Sequence, residues 1–78
     1  MKTTKYFDSI CIRPDRSIIK LEWIQFVVDN PESTEVQADG RIRKRAKIEE
    51  MEYRYLRVIL LDDCETVHNA FFDRGFRL

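Results

Sequence analysis

The spacing of apolar residues along the chain changes period once, near Asn30-Pro31. Before that point Leu21, Ile24, Val27 and Val28 recur at helical spacing. Trp23 and Phe26 widen the stripe, and Lys20, Glu22, Gln25 and Asp29 fill the other side. The pattern predicts a helix over Ser17–Asn30, capped by Ser17 or Asp15 and stopped by Asn30-Pro31. Beyond it the period falls to two, the repeat of a strand. Thr34–Ala38, Arg41–Ile48, Arg54–Leu61 and Glu65–Phe72 read as successive strands. Asp39-Gly40 predicts a two-residue hairpin turn, Glu49–Tyr53 a polar connection, and Asp62-Asp63-Cys64 a second turn. Asp73-Arg74-Gly75 marks a break before the closing Phe76-Arg77-Leu78. Upstream, Lys5–Ile12 fits either a first strand or a short turn of helix, and the polar residues 1–4 are expected to fray. The expected fold is α+β, with one main helix packed on an antiparallel β-meander of about four strands, in a single domain over residues 1–78.

The alternation also assigns faces. Arg41, Arg43, Arg45 and Lys47 point one way; Ile42, Ala46 and Ile48 point the other, with Lys44 as the exception. In the next strand Leu56, Val58 and Leu60 form the apolar side. A two-residue loop at Asp62–Cys64 pairs position 60 with 65 or with 67. Either register places Val67 and Phe71 on the Leu56 side, and a one-residue slip inverts this. The helix should cover that side. The uncovered side then carries Tyr55, Arg57 and Ile59, with His68, Ala70 and Phe72 beside them and the basic row arriving from the neighbouring strand. Arg57 and His68 fall opposite or diagonal to each other.

Composition adds two constraints. At 78 residues, 44% hydrophobic and 36% charged, the chain is globular with a small core. Fourteen basic and fourteen acidic residues cancel, which argues against bulk nucleic-acid binding but leaves room for a local basic patch. Five of the seven residues from Arg41 to Lys47 are basic. No apolar stretch follows Met1-Lys2-Thr3-Thr4-Lys5, and no run is long enough to span a bilayer. The expected location is therefore the cytoplasm, without membrane association, with Cys11 and Cys64 as reduced thiols.

Candidate chemistry concentrates on the uncovered face. Arginines bind phosphate oxygens bidentately and stabilise charge developing at phosphorus. An imidazole among them can act as general acid or base, and neighbouring positive charge favours its neutral form. The other reading of the same residues is a solvated face whose arginines pair with Glu35, Glu49, Glu50 or Glu65. Tyr55 and Phe72 are candidates for stacking a base, or for packing against Phe76. Cys64 and His68 supply two ligands where zinc needs three or four, so no metal is expected. With no paired cysteines, GxGxxG or P-loop, no cofactor is expected either.

Several segments together resemble a known family. Glu22-Trp23-Ile24 leads to Asn30-Pro31-Glu32, followed by Asp39-Gly40-Arg41, then Tyr55-Leu56-Arg57-Val58-Ile59 and Thr66-Val67-His68-Asn69-Ala70-Phe71. Over roughly residues 13–77 this is similar to a small bacterial domain-of-unknown-function family compared with BrnT and, more distantly, with RelE/ParE toxins. The resemblance implies a RelE/ParE-like toxin of a type II toxin–antitoxin system, cleaving RNA without metal on the open sheet face and neutralised by an antitoxin protein. It maps catalytic roles onto His68, Arg57 and Tyr55, and RNA binding onto Arg41, Arg43, Arg45, Lys47 and Arg74. Neutral net charge and a single obvious helix depart from the family pattern. A second function class is therefore carried: a non-enzymatic interaction module, as a homodimer, docking an acidic protein.

Overall fold

Three antiparallel pairings in chain order build a four-stranded sheet, β1-β2-β3-β4, with the three α-helices preceding it and one 3-10 turn, Glu49–Met51, between β2 and β3. The computed structural model describes residues 1–76; positions 77 and 78, the end of the segment read as Phe76-Arg77-Leu78, lie outside the described residues. The strands are β1 (Ser33–Val36), β2 (Ile42–Ile48), β3 (Arg54–Leu60) and β4 (Val67–Phe72). The helices are α1 (Lys5–Ile10), α2 (Pro14–Ser17) and α3 (Leu21–Asp29). The α+β meander expected from the pattern is present.

The N-terminus is ordered by a cap rather than frayed. Thr4 Oγ accepts the Phe7 N–H at 3.0 Å, which settles residues 5–10 as helix. Phe7 and Ile10, three positions apart, are the buried residues of α1. The segment before the cap runs parallel to the start of β4. Val67 N–H donates to Lys2 O at 2.9 Å, and Thr4 N–H donates to Val67 O at 3.1 Å.

The helix expected over residues 17–30 is divided. Pro14 opens α2 at a position where its missing N–H costs nothing, and Ser17 ends that turn instead of capping the next helix. A tertiary anchor accounts for the break. Arg16 donates to Asn69 Oδ1 at 2.7 Å and to Ala70 O at 3.3 Å, tying α2 to β4. The main helix α3 starts at Leu21 without a side-chain cap. It buries Trp23, Ile24 and Val27, while Leu21 and Phe26, both assigned to its apolar stripe, are 59% and 48% exposed.

The core lies between α1, α3 and one face of the sheet. Ala46 and Ile48 from β2, Leu56, Val58 and Leu60 from β3, and Val67 and Ala70 from β4 join the buried helix residues. Lys44 shares this face, opposite Val58. Its ammonium donates to Val28 O at 3.0 Å, in the last turn of α3. A cation there complements the helix dipole and satisfies a free carbonyl. The one residue that broke the β2 alternation is therefore a helix C-terminal ligand.

Both hairpins differ from the two-residue form. Gln37 N–H donates to Arg41 O at 2.7 Å and Gly40 N–H to Gln37 O at 2.9 Å, enclosing the three-residue loop 38–40. Gly40 sits at φ 89°, a conformation glycine adopts without strain. Arg41 consequently precedes β2 rather than belonging to it. At the second hairpin Leu61 N–H donates to Thr66 O at 2.9 Å, leaving a four-residue loop over 62–65. Asp63 organises that loop by accepting from Glu65 N–H, Thr66 N–H and Thr66 Oγ1. These bonds hold its carboxyl down at about 2.

The register 60 opposite 67 is one of the two expected, but β4 does not stay in phase. Leu60 pairs with Val67 and Ile59 with Asn69, so His68 is an extra residue, a β-bulge. Everything beyond it changes face. Ala70 and Phe72, expected on the uncovered side, pack toward the core, where Phe72 meets Trp23 edge-on. Phe71, expected in the core, stands on the uncovered side opposite Arg57.

Candidate functional site

The basic row is present on the uncovered face. Arg43 lies opposite Ile59, Arg45 opposite Arg57 and Lys47 opposite Tyr55. Directly opposed like charges destabilise a sheet, so the Arg45–Arg57 pair needs compensation. Asp73 supplies it. The β3–β4 pairing runs one residue past β4 through the Asp73 N–H, which donates to Tyr55 O at 2.8 Å. The carboxylate is thereby placed between the two arginines. Its Oδ2 accepts from Arg45 Nε and from Arg57 Nε, both at 3.0 Å, and from a second nitrogen of Arg57. Burial pushes the Asp73 carboxyl up, but the Arg57 and Arg45 bonds overcome this and hold it below the usual carboxylate value.

The other basic residues are also paired. Arg45 reaches Glu35 Oε1 at 2.6 Å, and the Arg43 guanidinium approaches Glu35 at 4.0 Å. The Arg45 bond is the main cause of a lowered Glu35 pKa. Lys47 lies 3.9 Å from Glu32, and Arg41 3.7 Å from Asp39. Of the four carboxylates expected to pair with this face, only Glu35 does so. Glu50 meets Lys20 and Glu65 meets Lys2.

Arg45 is only 4% exposed. The chain after β4 folds back over it, with the Phe76 ring 4.2 Å from the Arg45 guanidinium carbon and edge-on to Tyr55 at 4.9 Å. The uncovered face is thereby divided into two depressions. One, of about 360 Å³, is lined by Tyr6, Arg41, Arg57, His68, Asn69 and Phe71, among others. The second, of about 610 Å³, is lined by Lys47, Arg54, Tyr55, Asp73, Arg74 and Phe76, among others. Arg57 and His68 are not cross-strand partners, because the bulge intervenes, yet they share the first depression. Tyr55 and Arg74 fall in the second, away from His68. Tyr55 packs on Phe76, the second of its two expected roles.

Two N-terminal residues hold His68. Its Nδ1 is 3.1 Å from Thr4 Oγ1, and its ring stacks on Tyr6 with centroids 4.9 Å apart. When Nδ1–H donates to Thr4 Oγ1, Nε2 keeps a free lone pair, as a general base requires; in the reverse tautomer Nε2 carries a proton, as an acid requires. Burial first, and the Arg41 charge second, push the imidazole below 6.5, against a weaker opposing pull from Asp39. Both effects favour the neutral ring.

Tyr6, Thr4 and Asp73 were not singled out from sequence. Only the Arg45–Arg57 opposition could have pointed to Asp73, because it calls for a nearby carboxylate. Cys11 and Cys64 are free thiols. Among the described residues no three His, Cys, Asp or Glu are arranged to hold a metal, and no helix is long and apolar enough to cross a membrane. No protein-family model, curated protein or solved structure matches the chain.

Proposed function

We propose that the chain is a RelE/ParE-like, toxin-type RNA-cleaving domain whose working site is the depression around His68. The observation that supports this most is the meeting of an imidazole, positioned by Thr4 and Tyr6, with Arg41 and Arg57 in one open depression. In this reading the two arginines hold a backbone phosphate. His68 takes the proton of the adjacent 2′-hydroxyl, and the 2′-oxygen bonds to phosphorus. The bond from phosphorus to the 5′-oxygen breaks, and that oxygen takes a proton from water. The products carry a 2′,3′-cyclic phosphate and a 5′-hydroxyl. Arg43, Arg45, Lys47 and Arg74 would follow the backbone, Tyr55 would face the next nucleotide, and an antitoxin would cover the face. Positioned acid–base groups of this kind contribute about 10²–10⁴-fold in rate.

The test is incubation of purified protein with mRNA, alone and on ribosomes, in the presence of a chelator, followed by analysis of the cleaved ends. Cyclic phosphate ends are expected. Intact RNA in both settings, together with normal growth of bacteria expressing the protein, would sink the reading.

A second reading is a non-enzymatic interaction module, as a homodimer docking an acidic protein. The pairing of Arg41, Arg43, Arg45, Lys47 and Arg57 with carboxylates favours it. It predicts no cleavage and partner binding that weakens with salt.

A further inference from the structure

We infer that Asp73 stands in for a phosphate, and that residues 73–76 are a strap closing a phosphate-binding site built from Arg45 and Arg57. The inference rests on the RNA-directed reading above and names how that face is regulated.

The geometry of the cluster carries it. Two guanidinium groups from neighbouring strands converge on one carboxylate oxygen, which takes three N–H donors. Guanidinium forks match the spread oxygens of a phosphate, each able to take separate donors, better than a single oxygen shared by all. Charge points the same way. Among the described residues, Arg43, Arg45 and Arg57 meet Glu35 and Asp73 within the cluster, three cations against two carboxylates. A backbone phosphodiester carries one negative charge.

The cover is slight. Arg74 and Gly75 are exposed, and a Cβ added at Gly75 would meet nothing within 4 Å. Phe76 seals the site by lying over the Arg45 guanidinium, which is also how an aromatic ring would be displaced by a stacking base. Asp73 is further tied by its N–H to Tyr55 O and by Gly75 N–H to its own Oδ1 at 3.3 Å. Lifting the strap would free Arg57 and the Nε of Arg45, whose other end stays on Glu35, and join the two depressions into one track from His68 to Tyr55.

The experiment measures binding of a fluorescent 2′-O-methyl oligoribonucleotide, which lacks the attacking hydroxyl, to wild type, Asp73→Asn and Phe76→Ala. Both variants should bind tighter than wild type by about tenfold, the scale of one charge-assisted hydrogen bond freed from competition, and inorganic phosphate should compete. Phe76→Ala keeps the carboxylate, so it remains decisive where Asp73→Asn fails to fold by circular dichroism. Folded variants that bind no tighter than wild type overturn the strap. RNA cleavage is assayed in parallel on the same proteins. Tighter binding with no cleavage by any variant retains the strap and removes the ribonuclease reading. Cleavage with unchanged binding does the reverse.

Discussion

Truncating Leu56 to alanine is expected to destabilise the domain by about 2–5 kcal/mol. Leu56 is fully buried at the middle of the sheet, flanked by Ala46 on β2 and Phe72 on β4. The helix layer covers this face, so the atoms removed leave a cavity that regular strands on either side cannot collapse to fill. The loss is large for a 78-residue chain, whose whole stability should be about 4–12 kcal/mol. Urea denaturation checks it: the midpoint should fall with the slope unchanged. Leu21→Ala is the control. That side chain, in the first turn of α3, is 59% exposed, and its removal should cost far less than that of Leu56, about 1 kcal/mol or below. Equal effects would mean that the helix buries a different stripe.

Removing the imidazole should have the largest effect on activity. His68→Ala is expected to lower RNA cleavage by about 10²–10⁴-fold while leaving the protein folded. The lost bond to Thr4 should cost only about 0.5–1.5 kcal/mol, and the Thr4 cap on Phe7 N–H does not depend on it. Cleavage by wild type should rise with pH through an imidazole pKa below 6.5, as the base becomes free. The same shift acts on stability. Between the folded value and 6.5 the unfolded chain binds more protons, so stability is full above 6.5 and falls as pH drops toward the folded value. The groups facing the ring are Arg41, Asp39, Tyr6 and Thr4. A urea midpoint that declines below pH 6.5 in wild type, but not in His68→Ala, would identify the ring as the source. A cleavage rate indifferent to His68 would remove it from the mechanism.

The order of strands and the inner faces of β2 and β3 were legible because period-two alternation is enforced by burial. Ala46, Ile48, Leu56, Val58 and Leu60 lie where alternation places them. The outer face was legible as residues but not as electrostatics. Which carboxylates reach Arg45 and Arg57 depends on where the chain goes after β4, and alternation says nothing about that. The faces of Ala70, Phe71 and Phe72 were misassigned for a single reason: the bulge at His68 shifts the phase after the expected pairing of Leu60 with Val67, and a bulge leaves no mark in the pattern. Residues 5–10 were ambiguous because six residues hold too few apolar positions to show a period. The hydroxyl of Thr4 decided between helix and strand.

His68 is an insertion in the ladder, not a rung of it. Val67 faces Leu60 and Asn69 faces Ile59, so removing His68 would leave two strands whose remaining partners already match. The fold and the proposed chemistry are therefore separable at one position. A chain with His68 deleted should keep its sheet, its core and its Arg45–Asp73–Arg57 cluster, and cooperative unfolding would show this. What it would lose is the only imidazole of the domain, together with the local widening that turns this ring toward Tyr6. The residue on which the proposed chemistry turns is thus one that the architecture can do without.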